Sequence, residues 1–573
     1  MKFGALLTTE KLRLRENQVF LALTILLGVF GGLSAVLFTL AIEGTKHVLF
    51  GSAPSPLRLL AVPTLVSLVT GYLLAKFFPD ARGSGVPQTE AAYHLHNGVI
   101  PARVVFGKFL TGALCVGSGH SMGREGPSVQ IGAGIASVLG RWLRLSPARV
   151  KSLIPIGAAA ALSAAFNTPV AAVLFALEEI IGDMNAALIG STVVASVTAV
   201  IVERSILGEE TLFRVPAYQL ANPAELIGYA ILGVVGGTLS VIFCKGLLST
   251  RKLFLRMPQW TRTLQPAIGG LGIGIMLLFV PQVLGVGYEH VDQALDGALA
   301  WKMLLILCGA KLVATIVSYA SGNAGGIFAP SLFIGAMAGG AVGMGMHAFA
   351  PFPTGSPGAY ALVGMGALFA GIIRAPMTSV FMVFELTQDY KILVPLMVAN
   401  LLSYLISSRF QHKPIYHALL ELDRVHLPGP ASRFAASSFR AGDFMNPNPL
   451  FIPENSSIND AWKLIADDRY ACFLVGSGRT IVGLVTRKDI EESIRSDSGD
   501  QPIASVLIRQ WAHVHADHSL EVALDRFRQS PGLLPVVSRG EANRVEGAIT
   551  LETILQFVQR NPQSDVAASI EAK

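Results

Sequence analysis

Apolar runs follow one another from Gln18 to Ser408 and then stop. The runs 18–42, 57–77, 187–202, 225–247, 265–284, 302–318 and 392–408 predict helices on the scale of a bilayer span, which takes about 20 apolar residues. The runs 107–140, 152–181, 325–350 and 360–387 are different, because Gly and Pro interrupt them. Backbone broken at membrane depth is tolerated only where it is buried in protein or lines a polar cavity. The broken runs are therefore where chemistry is expected. After Ser408 the pattern changes to helix-like stretches followed by short β-rich runs. These are Ala471–Val475 and Ile481–Thr486, then Leu533–Val537 and Gly547–Thr550. Helices are predicted after each pair, over 487–494 and 551–558.

The membrane part contains an internal repeat. Gly83-Ser84-Gly85-Val86 matches Gly285-Val286-Gly287-Tyr288. Lys108 and Gly123-Arg124-Glu125-Gly126-Pro127-Ser128 match Lys311 and Gly326-Ile327-Phe328-Ala329-Pro330-Ser331. Asn167-Thr168-Pro169-Val170 through Glu178 matches Arg374-Ala375-Pro376-Met377 through Glu385. The blocks keep their order at nearly one offset, so there are two homologous halves, about 18–205 and 225–408. Repeats with interrupted helices in corresponding places mark transporters that bind substrate near the midplane. The expected organisation is an N-terminal segment 1–17, a membrane domain 18–420, a linker 421–438, two similar modules at 439–495 and 501–560, and a tail 561–573.

Charge sharpens this division. Only 14% of the 573 residues are charged, against about a quarter in soluble domains. Residues 1–410 carry a net +9 and residues 411–573 a net −3. The basic excess flanks apolar segments, where Lys and Arg anchor cytoplasmic loops; it does not suggest nucleic acid. Lys11, Arg13 and Arg15 predict a cytoplasmic N-terminus, and no cleavable leader is expected. Cys115, Cys244, Cys308 and Cys472 lie in apolar surroundings without metal-ligand spacing, so they are expected to be buried and reduced. His513, His515 and His518 alternate as metal ligands can, but lack supporting Cys or carboxylates and are read as exposed polar positions. No metal site is expected. The absence of HExxH, GxSxG and phosphate-loop motifs argues against an enzyme.

The chemistry lies in the glycine-bounded segments. Gly83 to Pro87 presents a serine hydroxyl between flexible residues. Gly123 to Pro127 and Gly326 to Pro330 each place exposed amides ahead of an apolar helix. Helix N-termini favour anions through unpaired N–H groups and the helix dipole. Glycine packing, as in Gly335-xxx-Gly339-xxx-Gly343, explains any one segment; three placed by a repeat favour an anion site. Glu125 at such a terminus is a tethered anion that competes with a free one, and protonation releases it. Glu179 is an intramembrane acid without an echo in the other half, and such acids default to a function. Its neighbour Glu178 is echoed by Glu385, so both read as structural acids near helix ends.

The segments GSGVP (83–87), GREGP (123–127), GIFAP (326–330) and KPIY (413–416) together resemble the CLC chloride channels and chloride/proton exchangers. The C-terminal modules resemble a CBS pair. The resemblance implies an all-α polytopic membrane protein with two inverted halves, plus an α/β cytoplasmic CBS pair. It implies a homodimer in a bacterial inner membrane, both termini cytoplasmic. Ser84 and Tyr416 would offer hydroxyls to a central chloride, and the amides of Ile327 and Phe328 would bind the same ion. Gly123, Arg124 and Gly126 would line an outer site. Glu125 would be the gate and proton carrier, and Glu179 the internal proton glutamate, often Val in channels. Glu90 would pair with Lys108. Ser84 favours chloride over nitrate, since plant-type nitrate exchangers carry Pro there. Thr486 and Asp489 match nucleotide contacts of CBS modules, whereas the second copy has Thr553 in place of that acid. An adenine nucleotide is thus a candidate ligand, and no cofactor is required. The implied function is chloride/proton exchange. The alternatives are a passive chloride channel and a membrane-anchored sensor acting through the CBS pair.

Overall fold

Proline and left-handed caps divide the apolar chain into helices where the broken runs predicted it. In the computed structural model, residues 3–560 are described apart from 52–53, 184–185, 209–212, 214–221, 426, 428–438, 467, 469, 528 and 542. The chain forms two compact units, Met1–Leu427 and Pro428–Lys573. The expected tail 561–573 and most of the expected linker lie outside the described residues. The linker cannot begin at 421, because the last helix of the first unit runs to Leu422.

The first half holds α1 (Phe3–Phe50), α2 (Pro56–Lys76), α3 (Val86–Leu95), α4 (Ala102–Gly117), α5 (Glu125–Trp142), α6 (Pro147–Phe166), α7 (Pro169–Phe175) and α8 (Ala186–Leu207). The second half holds α9 (Leu226–Arg256), α10 (Gln265–Phe279), α11 (Tyr288–Leu295), α12 (Trp301–Ala320), α13 (Phe328–Phe349), α14 (Pro357–Ile373), α15 (Pro376–Thr387) and α16 (Leu393–Phe410); α17 (Ile415–Leu422) follows. The backbone of 3–17 is helical and continuous with the first span rather than a separate segment. Among the described residues, eight helical stretches are long and apolar enough to cross a membrane. Two of them, α6 and α13, come from the broken runs; α6 continues through Pro155 and ends at Phe166, ahead of the Asn167–Pro169 break. The run expected over 265–284 stops at Phe279, where Pro281 begins a separate short turn.

The breaks repeat between halves. Asn167 ends α6 at φ +58° and Arg374 ends α14 at φ +70°. Pro169 and Pro376 then open α7 and α15, where a missing N–H costs nothing. Glu178 accepts from the Met377 and Thr378 amides at 3.1 and 2.8 Å, while Glu385 accepts from Val170 and Ala171, both at 2.8 Å. The carboxylates expected to be structural thus cap each other's half. Gly123 and Gly326, equivalent in the repeat, exchange two backbone hydrogen bonds of 2.8 Å. Reciprocal contacts between equivalent residues are what a two-fold relation requires, and it matches an inverted repeat.

Close packing follows the same symmetry. A Cβ on Gly132 would stand 2.2 Å from the Gly157 carbonyl oxygen, and one on Gly335 would stand 2.3 Å from that of Gly364. Only glycine lets α5 approach α6, and α13 approach α14, so closely. The packing reading of Gly335 therefore holds. A continuous apolar core runs through both halves, and all four cysteines are buried and free.

In the second unit, β1 (Phe451–Ile452), β2 (Cys472–Ser477) and β3 (Thr480–Thr486) form one sheet, and β4 (Leu533–Val537) pairs antiparallel with β5 (Val545–Thr550). Cys472, Leu474, Leu484, Leu533, Val537 and Ala548 form one apolar layer between the sheets. The leading segment of each copy crosses over: Asn446 bridges Ala548, and Ile508 bridges Leu484.

Candidate anion and proton site

The site is assembled where the Gly-Ser loop and the two interrupted helices meet. Ser84 precedes Gly85, which caps α3 at φ +105°. Its N–H donates to Tyr319 Oη at 3.4 Å, and its side chain is fully buried. A Cβ on Gly126 would lie 2.4 Å from Ser84 Oγ, so the hydroxyl rests on the first turn of α5. Tyr416 enters from α17 and is also fully buried. The two hydroxyls face each other within hydrogen-bond reach, yet neither meets any described partner in good hydrogen-bond geometry. Buried polar groups are normally paired, so two orphan O–H groups side by side point to an acceptor brought from outside.

Helix ends complete the surroundings. Ile327 is the N-cap of α13 and Phe328 its first residue, both buried. Their amides fall among those that have no acceptor within the helix. The Phe328 ring packs on Phe166, Phe175 and Phe369, with centroids 4.8, 5.7 and 4.3 Å away. Low-dielectric walls strengthen the field of the helix ends.

Glu125 is the first residue of α5 and fully buried. The N–H groups of Glu125 and Ala329 approach its carboxylate, from α5 and α13 respectively. Oε1 accepts from Tyr288 Oη at 2.6 Å, and Oε2 has no partner in hydrogen-bond geometry. Tyr416 is within electrostatic reach of both Glu125 and Glu179. Glu179 is buried in a widened helical turn, Ala176–Ile181, that continues α7. Such single π turns are frequent at functional sites.

Two expectations change. Glu90 does not pair with Lys108: its Oε1 meets His417 Nε2 at 2.7 Å. Lys108 Nζ instead donates to the Ala81 and Gly83 carbonyls at 2.9 and 2.6 Å. The reason is that the Gly-Ser loop turns its carbonyls toward α4, so they supply the acceptors. Lys311 does the same to Val283 and Gly285 at 3.1 and 2.6 Å. The Gly123 amide is not available to an outer anion either, because it donates to Gly326. Arg124 is the N-cap of α5; its guanidinium is held by Thr39 Oγ1 and the Ala165 carbonyl at 2.8 and 3.1 Å. Tyr288 and His417 were missed. The repeat aligned Tyr288 with Val86, and nothing local distinguished its hydroxyl.

In the second unit, Thr486 caps the helix Arg487–Arg495. Its Oγ1 accepts from the Asp489 amide at 3.2 Å and donates to the carboxylate at 2.5 Å. The three histidines His513, His515 and His518 are half-buried rather than exposed, and His515 Nδ1 lies 2.8 Å from the Val537 carbonyl oxygen.

A family model described as voltage gated chloride channel matches residues 65–408, the span holding both helix breaks. The chain belongs to the CLC family. CBS domain models match 441–496 and 503–560. This CLC chain is 32% identical over 409 residues to an H(+)/Cl(−) exchange transporter ClcA of Vibrio campbellii, covering 69% of this chain and 87% of that one. It is 33% identical over 431 residues to a putative chloride channel protein ClcB-like of Ralstonia nicotianae, covering 72% and 99%. Among solved structures, a slow cyanobacterial Cl−/H+ antiporter superposes with TM-score 0.64 at 28% identity, covering 70% of this chain and 97% of that one. A eukaryotic CLC transporter superposes with TM-score 0.64 at 22% identity over 94% and 98%, a likeness of fold that includes the second unit. The chain is a multi-pass membrane protein with the CLC fold and a CBS pair.

Proposed function

We propose that this chain exchanges chloride for protons across a bacterial inner membrane, as a homodimer with both termini in the cytoplasm. The observation that carries the reading is the pair of orphan hydroxyls, Ser84 and Tyr416, beside a buried carboxylate at converging helix N-termini. Chloride accepts hydrogen bonds from both hydroxyls and from the first amides of α13. No full positive charge holds it, so it can leave. Ionised Glu125 competes for the same field. When it takes up a proton its charge disappears, the carboxyl group swings away, and the ion moves. Glu179 relays the proton to the opposite side. The names of the exchange-transporter relatives support the same reading.

An adenine nucleotide is the candidate ligand of the CBS pair, contacting Thr486 and Asp489. A small cavity between the two copies, bordered by Tyr470 and Phe473 of the first and by Ala548 and Thr550 of the second, has a volume of about 20 Å³, room for a water and not a purine.

The test is reconstitution in liposomes under a chloride gradient alone. Uphill proton movement is expected, and Glu125→Gln should keep chloride flux while abolishing it. Chloride flux without any proton movement in the unmodified protein supports the passive channel instead.

A further inference from the structure

The carboxylate read as the gate is held from the other half of the protein. Tyr288 opens α11 and sends its hydroxyl 2.6 Å from Glu125 Oε1. The loop before it is rigid. Gly287 sits at φ +83°, where a Cβ would also press to 2.9 Å on the Phe333 ring. Lys311 fastens the same loop through two carbonyls. The phenol ring is braced edge-on by Phe213, at 5.1 Å and 86°, and lies 5.9 Å from the Arg124 guanidinium carbon. On the other side, Glu125 Oε2 lies over Gly123, where a Cβ would come within 2.0 Å of it. The side chain thus has a seat on one side and a single side-chain donor on the other.

A phenol O–H binds a carboxylate more strongly than a neutral acid, because the bond is charge-assisted. The donor therefore favours ionised Glu125 in this position and opposes its release. Resting on the gate reading above, we propose that Tyr288 is a positioning residue, a latch that holds the ionised carboxylate and sets how acid the medium must be before it lets go. The other groups near the carboxylate are accounted for. Arg124 donates to Thr39 and Ala165 and also reaches the Tyr288 hydroxyl, and Glu203 on α8 is coupled to Arg124. Tyr416 is coupled from α17, the Ala329 amide approaches from α13, and Lys311 on α12 is spent on carbonyls. Of these only Arg124 also engages the Tyr288 hydroxyl, and that contact is lost with it in Tyr288→Phe.

The sign follows from which form is bonded. A hydrogen bond to the charged form lowers a carboxyl pKa, so its loss raises it. Tyr288→Phe removes one oxygen and should release the gate at less acid pH. The experiment measures chloride flux from liposomes against pH, with infrared titration of the carboxyl stretch as a readout independent of flux. In Tyr288→Phe both midpoints should move up by about one pH unit, with uphill proton movement retained. In the Glu125→Gln background, Tyr288→Phe should change nothing further. Tyr288→Leu, the second variant, must show the same displaced infrared midpoint. Midpoints unchanged in either variant overturn the latch, as does a shift that persists beside Glu125→Gln. Failure of the gate reading looks different: Glu125→Gln alone would then leave pH dependence and coupling intact.

Discussion

At the scale of the residue, a few side chains meet an environment that admits little else. Gly126 is the sharpest case, because its missing Cβ is the space in which Ser84 Oγ lies, and the Ser84 carbonyl is only 2.8 Å from the same point. Overpacking of this kind costs about 1–3 kcal/mol, and here the atom displaced is the hydroxyl read as an anion ligand. Gly126→Ala should reduce chloride flux at least about tenfold, while the detergent-purified protein keeps its elution volume; undiminished flux removes Ser84 from the pathway. The residue scale also shows where a sequence misleads. The family resemblance implied an ion pair between Glu90 and Lys108. Yet loop carbonyls satisfy the lysine, and a histidine more than three hundred residues away takes the acid.

Elements behave as matched sets. The α6–α7 break and the α14–α15 break use a left-handed cap followed by proline, and each is closed by a carboxylate from the other half. Lys108 and Lys311 perform one task twice, tying the loop ahead of α3 and the loop ahead of α11. Replacing either by Met leaves two buried carbonyls without their donor, at roughly 1–3 kcal/mol. Lys108→Met and Lys311→Met should therefore lower the thermal midpoint of the purified protein by similar amounts. A large loss from one and none from the other contradicts the shared role. Near the proposed chemistry the halves differ: Ser84 faces Val286 in the repeat, Glu125 faces Phe328, and Val86 faces Tyr288.

For the whole molecule, the question is what the CBS pair does for the membrane unit. Each unit has its own apolar core, so the membrane unit should stand alone. Removing 428–573 should leave chloride flux in liposomes. ATP should change flux in the full chain, but neither in the truncated protein nor in Asp489→Ala. Flux that vanishes on truncation of a still-folded membrane unit returns the sensor reading to consideration.

The amino-acid sequence alone determined the spans, the breaks, the repeat and the paired modules, because each is written in local terms: apolar length, proline and glycine position, strand-like runs. It also singled out Ser84 and Glu125 as candidates through glycine-bounded segments and Glu179 as an acid without an echo, while Tyr416 entered through the family resemblance; all four are buried. Tertiary structure alone decided the partners. The Tyr288–Glu125 bond, the Glu90–His417 pair and the reciprocal caps of Glu178 and Glu385 join residues 163 to 327 positions apart. Spacing along the chain does not encode which donor reaches which acceptor there; the folding of one half against the other does.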